Sequence, residues 1–265
     1  MIIEKNRMTR LLLAVCLIGG AGSFAPYALA QPAARGLPKG AVVVETRKLY
    51  SASHRNRELV LWMLNPKKNP NGYAPDDIYS CPDYSRGSYY SGPTHVSLLD
   101  AVTNRIINTI NVSEGYEYGT DSFDLPYAIR RGYYYRVAAA TKSGIEARPT
   151  IMWLRDYNGD GKAFEFALFD AVACMGLQTT LIGYSEKQDR VIQYPIKLDV
   201  IEGAKRSHRV TPWADYLFNK KAIRPGYWKY EIDYRGRAGS LDKWEVKYNP
   251  LKEQFEGKLI SIAGD

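Results

Sequence analysis

Histidine and cysteine are both scarce, with three of each in 265 residues. His54, His95 and His208 stand far apart, and none has a second histidine or a cysteine at metal-ligand spacing, which excludes a zinc centre of the common kinds. No Gly-x-Ser-x-Gly elbow and no phosphate-cradling glycine loop is present, so serine-hydrolase and nucleotide-binding signatures are missing. Helical periodicity is almost absent, which excludes an α-helical bundle or a βαβ repeat. Long apolar runs are confined to the first thirty residues, so no later segment is fit to span a bilayer as a helix, which needs about 20 apolar residues.

Those first thirty residues have the organisation of an export signal. Lys5, Arg7 and Arg10 precede the uncharged run Leu11 to Ala21, and Ala28-Leu29-Ala30 fits the small-x-small cleavage rule. The expected mature chain starts at Gln31 and has 235 residues: a flexible leader, 31–40, and a single domain, 41–265. Cleavage takes Lys plus Arg from 36 to 33 and Asp plus Glu from 28 to 27, leaving a net charge of +6. The basic residues are scattered rather than gathered into a stripe, so nucleic acid is not the expected partner. The expected location is the periplasm or the exterior. There Cys81 and Cys174 have a single intramolecular pairing open to them, a disulfide closing a loop of about 90 residues and contributing roughly 4 kcal/mol on the chain-entropy account. Two buried free thiols are the other reading.

What recurs along the chain is short β-type runs divided by turn residues. Ala41 to Glu45 and Glu58 to Leu64 come first. A segment rich in Pro, Gly, Asn, Asp and Tyr then runs from Lys67 to Pro93 and contains Cys81. Val96 to Thr109, Leu181 to Tyr194 and, more weakly, Trp244 to Gly257 each read as run, polar turn, run. Asn104-Arg-Ile-Ile-Asn matches Asp189-Arg-Val-Ile-Gln. These hairpins lie 85 and about 64 residues apart, too irregular for a propeller with blades of about 40–50 residues. Aromatic strands are expected at Gly132 to Ala138 and Tyr227 to Tyr234, and a loop at Lys205 to Thr211. The fold class is all-β: antiparallel hairpins forming a sandwich or a small propeller-like domain.

One loop carries specific chemistry. In Arg155-Asp-Tyr-Asn-Gly-Asp-Gly-Lys162, oxygen-bearing side chains alternate at Asp156, Asn158 and Asp160, and Gly161 follows. This is the first half of an oxygen cage for calcium, a hard cation taking six to eight oxygens. The Lys162 carbonyl is the expected fourth ligand. The loop should join a strand at Thr150 to Leu154 to another at Phe164 to Phe169. Asn-Gly and Asp-Gly also make hairpin turns without any metal, so a plain turn is the competing reading. The stretch Thr150 to Phe169 resembles the calcium-loop hairpin of FG-GAP or VCBS-type repeats, typically D-x-N-G-D-G-x-x-D before apolar residues. The resemblance implies a structural calcium and covers this stretch alone. Phe164 stands where that family has its final Asp, and Glu165 is the substitute next to it.

Tyrosine is abundant, at 21 residues, and crowds the stretch from Tyr73 to Tyr135. The run Tyr79 to Tyr90 is the candidate recognition surface, since tyrosine offers a flat apolar face and a hydroxyl. The expected function is a binding or interaction module whose ligand is an envelope polysaccharide or envelope protein. The alternative is a secreted polysaccharide hydrolase using paired acids such as Asp76 with Asp77 or Asp121 with Asp124.

Overall fold

A computed structural model describes residues 36–50, 56–69, 89–112, 123–125, 136–137, 149–172, 176–237 and 239–264, all within one unit, Ala33–Asp265. In chain order the strands are β1 Ala41–Tyr50, β2 Asn56–Leu64, β3 Lys67–Asn69, β4 Tyr89–Gly92, β5 Thr94–Asp100, β6 Arg105–Asn111, β7 Phe123–Leu125, β8 Arg136–Val137 and β9 Pro149–Thr150. They continue as β10 Glu165–Val172, β11 Gly176–Ser185, β12 Arg190–Gln193, β13 Ile196–Glu202, β14 Lys205–Thr211, β15 Trp213–Asp215, β16 Tyr227–Asp233, β17 Ser240–Asn249 and β18 Gln254–Ala263. A single 3₁₀ turn, Arg235–Arg237, is the only helical element among the described residues, and no helix there is long and apolar enough to cross a membrane. The all-β expectation holds.

Three sheets carry the fold: β1-β2-β5-β6; β10-β11-β12 with β15 on β11; and β14-β13-β18-β17-β16. Among the described strands, pairing is antiparallel except between β13 and β18. Smaller sheets, β3-β4-β7 and β8-β9, accompany them. None closes into a barrel among the described residues, and the arrangement is sandwich-like. The sheet of β10 and β11 is the middle layer. Phe166, Leu168, Ile182 and Tyr184 join a core with Leu59, Leu61 and Leu98 of the first sheet. Ala167 and Leu181, one residue out of phase, join a second core with Trp228, Trp244 and Phe255 of the third. Strand side chains alternate between faces, so a sheet covered on both sides must be apolar at consecutive positions, as β11 is. Each fully buried large side chain contributes roughly 1.5–3 kcal/mol relative to leaving it exposed.

The three look-alike hairpins are β5-β6, β11-β12 and β17-β18. Each spans four turn residues, and the last of them, Asn104, Asp189 or Glu253, has a positive φ of 56°, 50° or 49°. The residue ending each first strand caps its turn. Asp100 Oδ1 accepts from Val102 N and Thr103 N, Ser185 Oγ from Gln188 N, and Asn249 Oδ1 from Leu251 N and Lys252 N. The likeness is therefore a shared turn, used once in each main sheet. Arg57 of β2 bridges two of the turns, donating to both oxygens of Asp189, at 2.9 and 2.8 Å, and to Asp100 Oδ2 at 2.9 Å. Asn108 adds a strand-like bond pair, donating to Val191 O and accepting from Val191 N, each at 2.9 Å.

Three sequence expectations are corrected. Thr150 to Leu154 does not make a full strand: only Pro149–Thr150 pairs, and Ile151 and Met152 donate their N–H groups to the Glu45 carboxylate on β1. Lys205 to Thr211 is not a loop but β14, the outer strand beside β13, exposed over nearly its whole length. The first strand runs on past Glu45 to Tyr50.

Candidate functional site

The loop from Arg155 to Glu165 is tied by its own polar side chains. Asp156 Oδ1 accepts from Gly159 N at 2.6 Å and Oδ2 from Gly161 N at 3.0 Å. Asn158 Oδ1 accepts from Asp160 N at 2.9 Å, and Asp160 Oδ1 from Lys162 N at 2.8 Å. Short Asx side chains make such turns readily. Gly159 and Gly161 have φ of 84° and 85°, a conformation that disfavours any side chain. At Gly159 a Cβ would also lie 2.8 Å from the Pro225 carbonyl oxygen. The loop leans on the next turn, where Gly226 N donates to Tyr157 O at 2.8 Å.

Glu165 opens β10 and is fully buried. Room for it comes from its register partner Gly183, where a Cβ would sit 2.8 Å from Glu165 Cγ. Its carboxylate turns back to the loop, with Oε2 accepting from Tyr157 N and Oε1 from Asn158 Nδ2, both at 3.0 Å. Burial pushes its pKa up to about 8; the bond from Tyr157 N opposes this, and the charges of Asp160 and Asp156 add to the rise. The Tyr194 hydroxyl beside it is driven well above its ordinary value by burial and then by Glu165. Arg155 pairs with Glu165 through the backbone alone; no lysine or arginine side chain forms an ion pair with the carboxylate of Glu165, Asp156 or Asp160 among the described residues, and Lys162 Nζ goes to Glu186 instead.

Asp156, Asn158, Asp160, Lys162 and Glu165 therefore lie along one tied loop. Their oxygens answer backbone N–H groups, however, and among the described residues no three His, Cys, Asp or Glu side chains converge to hold a metal. The donor chemistry still fits a hard cation. An ionised carboxylate has about four acceptor sites, and Asp156 uses two of them here. Closing Glu165 onto a cation would require releasing its bond from Asn158.

A pocket of about 480 Å³ opens beside this loop, lined by Arg155, Asp156 and Tyr157 on one side and by the segment from Phe218 to Pro225 on the other. Sequence reasoning missed it. Lys220-Lys221 registered only as a doublet, and the segment lies some 65 residues from the loop it faces.

Other candidate residues divide. Cys81, Cys174, Asp76, Asp77, Asp121, His54 and most of Tyr79 to Tyr90 lie outside the described residues. Tyr90, on β4, is partly buried against the first core. Asp124 sits on β7, paired with Ser91. His95 stacks on Trp62 with ring centroids 4.1 Å apart, and His208 pairs with Asp199. No protein-family model, curated protein or solved structure matches the chain.

Proposed function

We propose that the chain is an exported, disulfide-bonded β-sheet binding module in which calcium held by the Asp156–Glu165 loop braces one wall of a ligand pocket. The observation that carries this reading is the shared wall. Asp156 and Tyr157 line the pocket, and the Tyr157 carbonyl accepts from Gly226, just past the residues of the facing wall. A cation there would supply positive charge to Glu165, Asp156 and Asp160, three acids whose carboxylates form no ion pair among the described residues. Asp156, Asn158, Asp160, Glu165 and the Lys162 carbonyl would hold it. The export signal and the Cys81–Cys174 bridge rest on the sequence, as does the choice of an envelope polysaccharide or protein as ligand.

The test is retention of the mature protein on a panel of immobilised envelope glycans, with calcium or with a chelator, followed by assay for new reducing ends. Calcium-dependent retention without new ends is expected. New reducing ends, abolished by neutralising Asp76 and Asp77 or Asp121 and Asp124, would replace this reading with the hydrolase. Retention indifferent to chelator would remove calcium from it.

A further inference from the structure

The pocket has a marked charge imbalance. Arg155, Lys220, Lys221 and Arg224 line it, against one acid, Asp156, whose two oxygens already accept from Gly159 and Gly161. Among the described residues none of the four cations is ion-paired with a carboxylate. Three lie over aromatic rings instead: Arg155 over Trp153 at 3.4 Å, Lys220 over Tyr216 at 5.2 Å and Arg224 over Tyr227 at 5.8 Å. Such contacts restrain a cation without neutralising it.

The walls are pre-formed. Tyr157, Phe218 and Trp228 pack on one another with ring centroids 5.6–6.5 Å apart. Trp228 Nε1 donates to Lys220 O at 3.2 Å. Lys220 N donates to Tyr216 O, Ile223 N to Tyr227 O and Tyr227 N to Arg224 O, all at 2.9 Å. A pocket with fixed walls loses little conformational freedom when a ligand enters.

We infer that this pocket seats an acidic saccharide, a chain of hydroxylated rings bearing carboxylates, through Arg155, Lys220, Lys221 and Arg224. Guanidinium groups match carboxylate geometry in a fork, and lysines add unfocused positive charge. A lone small anion would engage one or two of these groups. Four cations placed on both walls of a pocket this size suit charges spaced along a chain. Tyr157, half-buried, stands in the same wall as Arg155. The inference rests on the binding-module reading and names the chemistry of its ligand.

The test is calorimetric titration of the mature protein with digalacturonate, cellobiose and inorganic phosphate, and of the Lys221→Ala/Arg224→Ala variant with digalacturonate. Both side chains are exposed, and an unchanged circular-dichroism melt certifies the variant's fold. Digalacturonate should bind the parent, weaken as salt is raised, and lose at least tenfold in affinity in the variant. Cellobiose should not bind, and equimolar phosphate should not displace digalacturonate. The inference is overturned if the parent ignores digalacturonate, if cellobiose binds equally, if the variant binds undiminished, or if phosphate displaces the sugar. The two readings fail separately. Retention on neutral glycans alone removes the acidic-saccharide pocket and leaves the binding module. Cleavage of bound digalacturonate removes the module and leaves the pocket.

Discussion

Glu165→Gln isolates the charge of the buried carboxylate. Its pKa is about 8 when folded, against an ordinary 4.5 when exposed. A raised folded value means the neutral form belongs to the folded state. The associated stability is fully present below 4.5 and is lost as pH rises through 8. At about 1.4 kcal/mol per unit, wild-type protein in chelator should lose about 2 kcal/mol between pH 6 and pH 8 from this group. For a domain of this size that lowers Tm by roughly 4–8 °C. Glutamine cannot ionise. One end can accept from Tyr157 N, but its amide nitrogen then faces Asn158 Nδ2, whose own oxygen is held by Asp160 N. The variant should therefore begin about 1–3 kcal/mol less stable at pH 6. That gap should narrow by about 2 kcal/mol at pH 8. Asp156, Asp160 and Tyr194 face the same carboxylate and are common to both proteins, as are the histidines, so the difference between the two curves reports Glu165. Denaturant unfolding at several pH values, followed by tryptophan fluorescence, measures it. A gap that stays constant from pH 6 to pH 8 refutes the reasoning.

Calcium at a hundredfold excess over its Kd should add about 2.7 kcal/mol, or several degrees in Tm, reversed by chelator and abolished by Asp160→Ala. A melt indifferent to both additions leaves the loop as a plain turn. Gly183→Ala should cost about 1–3 kcal/mol, because its Cβ would meet Glu165 Cγ at 2.8 Å and the Phe164 carbonyl oxygen at 2.9 Å; a thermal melt matching the parent would show that the strand gives way freely. Peptide mass spectrometry of unreduced protein should find Cys81 joined to Cys174, and free thiols at both positions would refute the bridge.

Much of the secondary structure was legible because it is locally encoded. The turns ending at Asn104 and Asp189 need a left-handed residue, and Asn and Asp adopt it at low cost, so two hairpins in different sheets carry similar sequences. β14 was illegible for the converse reason: with both faces exposed, Lys205 to Thr211 has no apolar alternation to read. Ile151 to Leu154 looked like a strand because it is apolar. Its first two N–H groups are satisfied by Glu45, over a hundred residues away, so it needs no full strand partner.

By itself the sequence determined the fold class, the three hairpins and the oxygen-bearing loop, since period-two patterning and turn chemistry act over a few residues. Only the tertiary structure decided that β10 and β11 are covered on both faces. That buries Glu165 in the space left by Gly183 and turns an acid at a strand start into a raised-pKa group behind the loop. It also decided that Arg155 faces Lys220 to Arg224 across one pocket. Burial and charge density are sums over segments distant in sequence, and no local pattern records them.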